Sequence, residues 1–238
     1  MSDPQADDEK NSASHEAIFN AEAEVMTNKA LVYQSRAIIE ENRHMILSNY
    51  AAAFIGNRQL ANQNTDDIFR NRELILRQHI SKSALETSFI EAQLDLAKLE
   101  FLEHRSQLNS SVLTISEKME KINQLLIETN QEIMAANQSI VSFNRGHIDH
   151  NNQLLNGDLT PSIASQQDTK KALAAVKKLI TNIATRALNN RKRMQKLVKA
   201  SLKNSTALIK NKNEIAERRD EIMENRDAMT ANRRKMFK

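Results

Sequence analysis

Residues 208–232 read LIKNKNEIAERRDEIMENRDAMTAN. A large apolar residue recurs in this stretch every seven positions, and a polar residue follows each of them three positions later. The apolar residues are Leu208, Ile215, Ile222 and Met229, and the polar ones are Asn211, Arg218, Asn225 and Asn232. A three-residue step repeated every seven residues places both sets on one face of an α-helix. The stretch therefore predicts a coiled-coil helix in which asparagine takes one of the two core positions.

The apolar-x-x-Asn unit also occurs in two other parts of the chain. Near the N-terminus Ile39 and Ile46 precede Asn42 and Asn49, and after a one-residue shift of frame Ile68 precedes Asn71. In the middle of the chain Ile127, Met134 and Val141 precede Asn130, Asn137 and Asn144. On this heptad track lie 17 of the 25 asparagines, where chance would place about one in seven. We predict that these apolar and asparagine residues form the core through which helices associate.

Two interpretations of the asparagines are open. A buried amide is costly unless its donors and acceptor are satisfied, so asparagines that face each other at the same level would fix the register of an assembly. Alternatively, the asparagines lie at a half-exposed edge beside the true seam. A second apolar stripe in the middle segment, which includes Leu126, Ile133 and Ile140, favours packing on more than one neighbour. Both interpretations predict that helices associate.

The composition indicates an all-α fold of long helices. The 238 residues include only 3 Gly and 2 Pro, which leaves few places for turns. We predict an elongated coiled-coil or helical-hairpin bundle with a turn at about 156–161. Residues 1–14 are expected to be an acidic disordered terminus, 15–155 a long helical arm with a possible break near 107–112, and 162–238 a basic coiled-coil helix.

Local signals support these boundaries. Gly157 suits a left-handed helix C-terminus, Thr160 can cap the next helix, and Pro161 fits its first position. A second capping signal begins at Thr114. Gly56 and Gly146 are interpreted as interruptions that a helix tolerates.

The charge is strongly asymmetric. Residues 170–238 hold 20 Lys and Arg against 6 Asp and Glu, a net charge of +14, and residues 170–212 hold 13 bases and no acid. The positions expected to act as a basic arm are Lys177, Lys178, Arg186, Arg191, Lys192, Arg193, Lys196, Lys199 and Lys203. The acidic stretches 3–24 and 86–103 are expected to lie elsewhere along the rod, so the arm is expected to meet an acidic region of another subunit. Binding of nucleic acid through its phosphates and a merely solvated face are the alternatives.

The sequence gives no sign of an enzyme or of a cofactor. It contains no phosphate-binding glycine loop, no dinucleotide fingerprint, no metalloprotease motif and no cysteine. His147 and His150 could share a helix face, but a zinc site needs further ligands and none is placed nearby. The N-terminus is unlike a signal peptide, and the longest apolar run is far shorter than a membrane span. A cytoplasmic protein is the expectation, with export that needs no leader still open.

We therefore expect a structural protein that assembles with itself into a filament or a higher-order helical scaffold. Its heptad faces would supply cohesion and register, and its acidic and basic regions would supply contacts between subunits. A helical protein that binds nucleic acid through the basic arm is the first alternative. A helical toxin or secreted translocator-like protein is the second.

Overall fold

The structure, a computed structural model, describes residues 4–80, 83–160 and 165–236. Helix α1 spans Pro4–Tyr50, a π-helical segment spans Ala51–Asn57, and α2 spans Arg58–Arg77. Helix α3 spans Ala84–Leu155 and α4 spans Gln166–Met236. No strand occurs in the described residues. The predicted all-α fold of long helices is confirmed.

The turn after α3 lies where the sequence places it. Gly157 adopts φ 94°, and it is the one described residue with positive φ. Helix α4 begins at Gln166, a few residues after the predicted start, and Pro161 lies outside the described residues. The helix is capped by the side chains of Ser165 and Asp168. The Asp168 amide donates to the Ser165 hydroxyl oxygen at 3.2 Å, and the Ser165 amide donates to the Asp168 carboxylate at 3.1 Å.

The chain is interrupted at a different place from the one considered. Helix α3 continues through residues 107–112, and Thr114 lies inside it, where its hydroxyl donates to the Ser110 carbonyl oxygen at 3.2 Å. Thr114 therefore caps no helix. The interruption lies between α2 and α3, where Ser83 has an extended backbone with φ −77° and ψ 123°. At the N-terminus the structure is helical from Pro4, within the stretch expected to be disordered, while residues 1–3 lie outside the described part. Gln5, Ala6, Glu9 and Lys10 in this stretch favour a helix.

The chain divides into two compact units. The first comprises residues 1–68 and 165–238, and the second comprises residues 69–164. In the first unit α1 packs against α4. The two helices run parallel, because Asn28 contacts Ala187, Asn42 contacts Ser201 and Asn49 contacts Leu208, always with a difference of 159 in residue number.

The π-helical segment absorbs the one-residue shift of frame seen in the sequence. Asn49 and Asn57 are eight residues apart, while their contacts on α4, Leu208 and Ile215, are seven apart. The segment takes up the extra residue as a wider turn, in which the Arg58 amide donates to the Ala53 carbonyl oxygen five residues earlier. The difference in residue number becomes 158 after the segment, and the asparagine track stays in phase with α4. Gly56 lies in this segment and Gly146 lies inside α3, so neither glycine ends a helix.

In the second unit the end of α2 packs against the first part of α3. The rings of Phe69 and Phe101 lie 5.2 Å apart, and the Arg72 guanidinium bonds the Glu100 carboxylate. These two pairs show that the helices are antiparallel here, since the later residue on α2 meets the earlier one on α3. From residue 120 to Leu155 every residue of α3 is exposed.

Candidate association surface

The asparagine track of α1 is the buried face of that helix. Asn28 is 7% exposed, Ser35 4% and Asn42 6%; Asn57 in the π-helical segment and Asn64 and Asn71 in α2 are likewise buried. The apolar residues that precede them by three positions are more exposed, with Ile39 at 38% and Ile46 at 48%. On α1 the polar residue of the repeat therefore points into the helix contact, and the apolar residue flanks it.

The buried asparagines bond to the backbone of α4. In each case the side-chain Nδ2 donates to the carbonyl oxygen of an apolar-position residue on α4. The bonds run from Asn28 to Ala187 (2.9 Å), Asn42 to Ser201 (2.8 Å), Asn49 to Leu208 (2.9 Å), Asn57 to Ile215 (2.8 Å) and Asn64 to Ile222 (2.8 Å). A helical carbonyl has two lone pairs, so it accepts this bond in addition to the one from its own helix.

In the α1–α4 contact the buried asparagines therefore do not pair with each other. The amides bond to backbone carbonyls because the asparagine positions of α1 lie at the same level as the apolar positions of α4. The asparagines of α1 face the apolar positions of α4, and the asparagines of α4 face elsewhere. Asn190, Asn204, Asn211, Asn225 and Asn232 are all exposed, as the edge interpretation predicts. The asparagines of α1 are thus buried, as the first interpretation expects, but they bond to backbone carbonyls and not to other asparagines, while those of α4 fit the edge interpretation.

The close approach of α1 and α4 depends on complementary side-chain size at three successive levels. Asn28 lies opposite Ala187 and Asn42 lies opposite Ser201, both small residues that are 4% exposed. At the level between them the sizes are reversed, with Ser35 on α1 and the buried Met194 on α4 at the same difference of 159. The Ser35 hydroxyl donates within its own helix, to the Val32 carbonyl oxygen at 2.9 Å.

The seam is not fully satisfied. The amide oxygens of Asn28, Asn42 and Asn57 are buried and accept no hydrogen bond. An unpaired buried acceptor costs roughly 1–3 kcal/mol, comparable to the gain from the bond that the same amide donates. The asparagine track therefore specifies the register more than it adds stability.

Two grooves run along the α1–α4 pair, one on each side of the asparagine seam. One is bridged by an ion pair between Glu24 and Arg191 at 3.2 Å. Along it the flanking residues are half-buried, and they are Leu31, Ile38 and Met45 on α1 and Val198 and Ser205 on α4. We call this the bridged groove.

The groove on the other side of the seam is not bridged by an ion pair between the described residues. In helices with 3.6 residues per turn, residues three before the seam on α1 and three after it on α4 turn toward this second side. They are Val25, Val32, Ile39 and Ile46 on α1 and Ile183, Asn190, Leu197 and Asn204 on α4. The six apolar ones are between 38% and 49% exposed. We call this the open groove. Beside the π segment a pocket of about 660 Å³, lined by Asn211 and Arg218 among others, lies on the same asparagine stripe of α4.

The predicted core residues are thus divided among three environments. Asn42, Asn49 and Asn71 are buried or half-buried, as are Leu208, Ile215, Ile222 and Met229 on α4. Ile39, Ile46 and Ile68 flank the buried track and are partly exposed, and Asn211, Asn225 and Asn232 are exposed. On α3 every predicted core residue is exposed, namely Ile127, Asn130, Met134, Asn137, Val141 and Asn144. Their role in association between chains stays a prediction.

The basic arm lies on α4. Arg191 is partly covered and bonds Glu24, and Lys210 lies 3.5 Å from Glu214. The other eleven bases of residues 170–212 are exposed and have no acidic partner among the described residues. The acidic stretch 3–24, expected to lie elsewhere along the rod, supplies Glu24, because α1 packs on α4. That placement was wrong for this one residue.

Chemical sites are sparse. Among the described residues, no group of three or more His, Asp or Glu is placed to hold a metal ion. His147, one of the two histidines considered, packs against Phe143 with the rings tilted and their centroids 4.3 Å apart. No helix in the described part of the chain has an apolar stretch sufficient to cross a membrane.

No family model, no curated protein and no solved structure matches this chain. Its function is therefore argued from its own residues.

The parallel pairing of α1 with α4 is the functional feature that sequence reasoning missed. A signal for it was present in the common heptad and in the one-residue shift of frame. Three segments share that heptad, however, and nothing in the pattern says which two segments pair.

Proposed function

We propose that the protein is a structural coiled-coil protein that associates with itself through its heptad faces. The observation that supports this most is the exposure of α3. Twelve large apolar residues from Leu113 to Ile148 are between 38% and 65% exposed, and nothing in the described chain covers them. Soluble monomers rarely leave so extended an apolar surface in water, and such surfaces mark contact sites.

The expected gain from covering these residues is large. Fully burying a Leu, Ile or Phe side chain is worth about 1.5–3 kcal/mol, so covering the exposed half contributes roughly 1 kcal/mol per residue. Even a contact that covers half of the twelve would offset much of the entropy lost on association, which is about 4–15 kcal/mol. Repetition of the same heptad in α1, α3 and α4 supplies matching surfaces on every copy.

The test is the mass of the purified chain in solution. Sedimentation velocity over a hundredfold range of concentration, at 50 mM and at 500 mM salt, should show assemblies larger than the 27.1 kDa chain. Negative-stain electron microscopy of the same samples should show rods or filaments, with and without nuclease treatment. A monomer under all of these conditions contradicts the proposal.

One observation favours a second candidate function, the binding of a polyanion. Eleven exposed bases lie within residues 170–212 with no acidic partner in the described structure. Such a stripe can neutralise successive phosphates of a nucleic acid without reading bases. Fluorescence anisotropy with a labelled DNA duplex and a labelled single strand should then give an affinity that falls steeply with salt. An affinity that does not change between 50 mM and 200 mM salt contradicts this candidate.

One triple variant separates the two functions. Substitution of Lys192, Lys196 and Lys199 by Gln removes charge from the outer side of α4, away from the seam. It should weaken binding to DNA and leave self-association intact. Loss of self-association in this variant would instead assign the arm to contacts between subunits.

A further inference from the structure

In the α1–α4 contact each helix uses only one of the two stripes of its repeat. A helix with the apolar-x-x-Asn repeat carries two stripes, an asparagine stripe that donates and an apolar stripe whose carbonyls accept. In this contact α1 contributes its asparagine stripe, and α4 contributes the carbonyls of its apolar stripe. The apolar stripe of α1 and the asparagine stripe of α4 are left over.

Both unused stripes border the open groove. Val32, Ile39 and their heptad neighbours form its α1 wall, and Asn190, Asn204 and their neighbours form its α4 wall. The groove therefore presents exposed amides at two of its four α4 positions, Asn190 and Asn204, and a half-exposed aliphatic row on the α1 side. A third parallel helix with the same repeat would complete the cycle, because its carbonyls could accept from α4 and its asparagines could donate to α1.

Helix α3 carries both stripes in the required form. Ile127, Met134, Val141 and Ile148 form its apolar stripe and are between 53% and 62% exposed. Asn130, Asn137, Asn144 and Asn151 form its asparagine stripe, and all four are exposed. The stripe has four levels, as does the stretch of α1 from Asn28 to Asn49 that precedes the π segment. Among the described helices, only α3 has neither of its two stripes engaged.

We infer that the open groove of one chain is the docking site for residues 127–151 of α3 from a second copy of the same chain, with α3 parallel to α1 and α4. This inference rests on the proposed self-association and specifies its two surfaces. Because the groove and α3 are different surfaces, each copy can bind the α3 of one neighbour in its groove and place its own α3 in the groove of another. Two copies can close into a dimer, or many can extend into a polymer.

Two variants test the surfaces separately. Ile39→Asp places a charge in the open groove, and Val141→Asp places one on the apolar stripe of α3. Each has a control on the same helix that is equally apolar and at least as exposed but points away from the stripes: Leu47→Asp on α1 and Leu125→Asp on α3. Circular dichroism of each variant should show the helix content of the parent chain.

The expected result is that each test variant, alone, loses at least tenfold in association affinity by sedimentation velocity, while both controls associate as the parent does. The decisive sample is an equimolar mixture of the two test variants. The intact α3 of the groove variant can still enter the intact groove of the α3 variant, so two-chain particles should form. They should not grow further, even if the parent chain polymerises.

Other outcomes are equally informative. If the parent chain is monomeric, the proposed self-association fails and this inference fails with it. If the parent associates but the mixture does not, the contact joins like surfaces, groove to groove or α3 to α3, and the inference is overturned while self-association stands. Equal loss of association in the controls would also overturn it, because the contact would then have no specific face.

Discussion

Substitution of Asn42 by aspartate tests the buried seam directly. The two side chains have nearly the same shape, so the change alters chemistry and not packing. In the structure Asn42 is 6% exposed, and its Nδ2 donates to the Ser201 carbonyl oxygen at 2.8 Å. A carboxylate at this place loses the donor, faces a carbonyl oxygen at hydrogen-bond distance, and keeps a charge in a buried site.

The magnitude follows from these terms. The lost hydrogen bond is worth about 1 kcal/mol, and an uncompensated buried charge brings the total to about 3–5 kcal/mol. We expect Asn42→Asp to lower the free energy of unfolding by this amount at pH 7. The matched control is Asn20→Asp, an exposed asparagine of the same helix, which should change the stability by less than about 0.5 kcal/mol.

The penalty should also depend on pH. Burial raises the pKa of the introduced carboxyl group in the folded state above its unfolded value of about 3.9. The charge-dependent part of the penalty is therefore absent below that unfolded pKa, and it is fully present once the pH has risen through the folded pKa. Below pH 4 the neutral carboxyl group can donate to the same carbonyl, so the deficit should shrink to about 1 kcal/mol.

The assay is urea unfolding followed by circular dichroism at 222 nm, at one protein concentration, at pH 7 and at pH 3.5. Each variant is compared with the parent at the same pH, which cancels the acid sensitivity of the other carboxylates. Equal unfolding midpoints for Asn42→Asp and Asn20→Asp at pH 7 would refute the buried seam.

Two further predictions concern the α1–α4 pair, and a third concerns the start of α4. Deletion of Ala52 should leave the thermal stability unchanged or raised, because it turns the π segment into a regular heptad. Deletion of Ala37 should lower the thermal stability, because it rotates the preceding part of α1 about 100° off the seam. Equal melting points for the two deletions would contradict this. Ser35→Asn should lower the free energy of unfolding by about 1–3 kcal/mol, because the larger side chain overpacks against Met194. Adding Met194→Ala should restore part of this free energy, with a coupling of about 0.5–3 kcal/mol in a double-mutant cycle. The hydrogen bonds that Ser165 makes at the start of α4 lower the pKa of Asp168 in the folded chain. They therefore stabilise the first turn above the unfolded pKa of this carboxyl group, and this stabilisation is lost as the pH falls through its folded pKa. An NMR titration that gives an ordinary aspartate pKa would contradict the cap.

Sequence periodicity accounts for much of the fold because it acts locally. Heptads of apolar and helix-forming residues predict the helices, and Gly157 marks the turn that ends α3, since a left-handed backbone suits glycine. The eight-residue step from Asn49 to Asn57 is visible in the sequence as a shift of frame, but its accommodation by a π-helical segment was not predicted. The break between α2 and α3 was not predicted, because residues 78–83 contain neither Gly nor Pro.

The sequence by itself determined that asparagines share one helix face with apolar residues and that three segments carry the same repeat. It could not determine which segments pair, because a heptad that is common to all three fits any of them. The tertiary structure decided that α1 lies parallel to α4 and out of step with it, so that Asn42 is buried against the Ser201 carbonyl while Asn204 stays in water. The physical reason is that an amide can be satisfied by a neighbouring backbone as well as by another amide, and only the packing of the helices selects between the two.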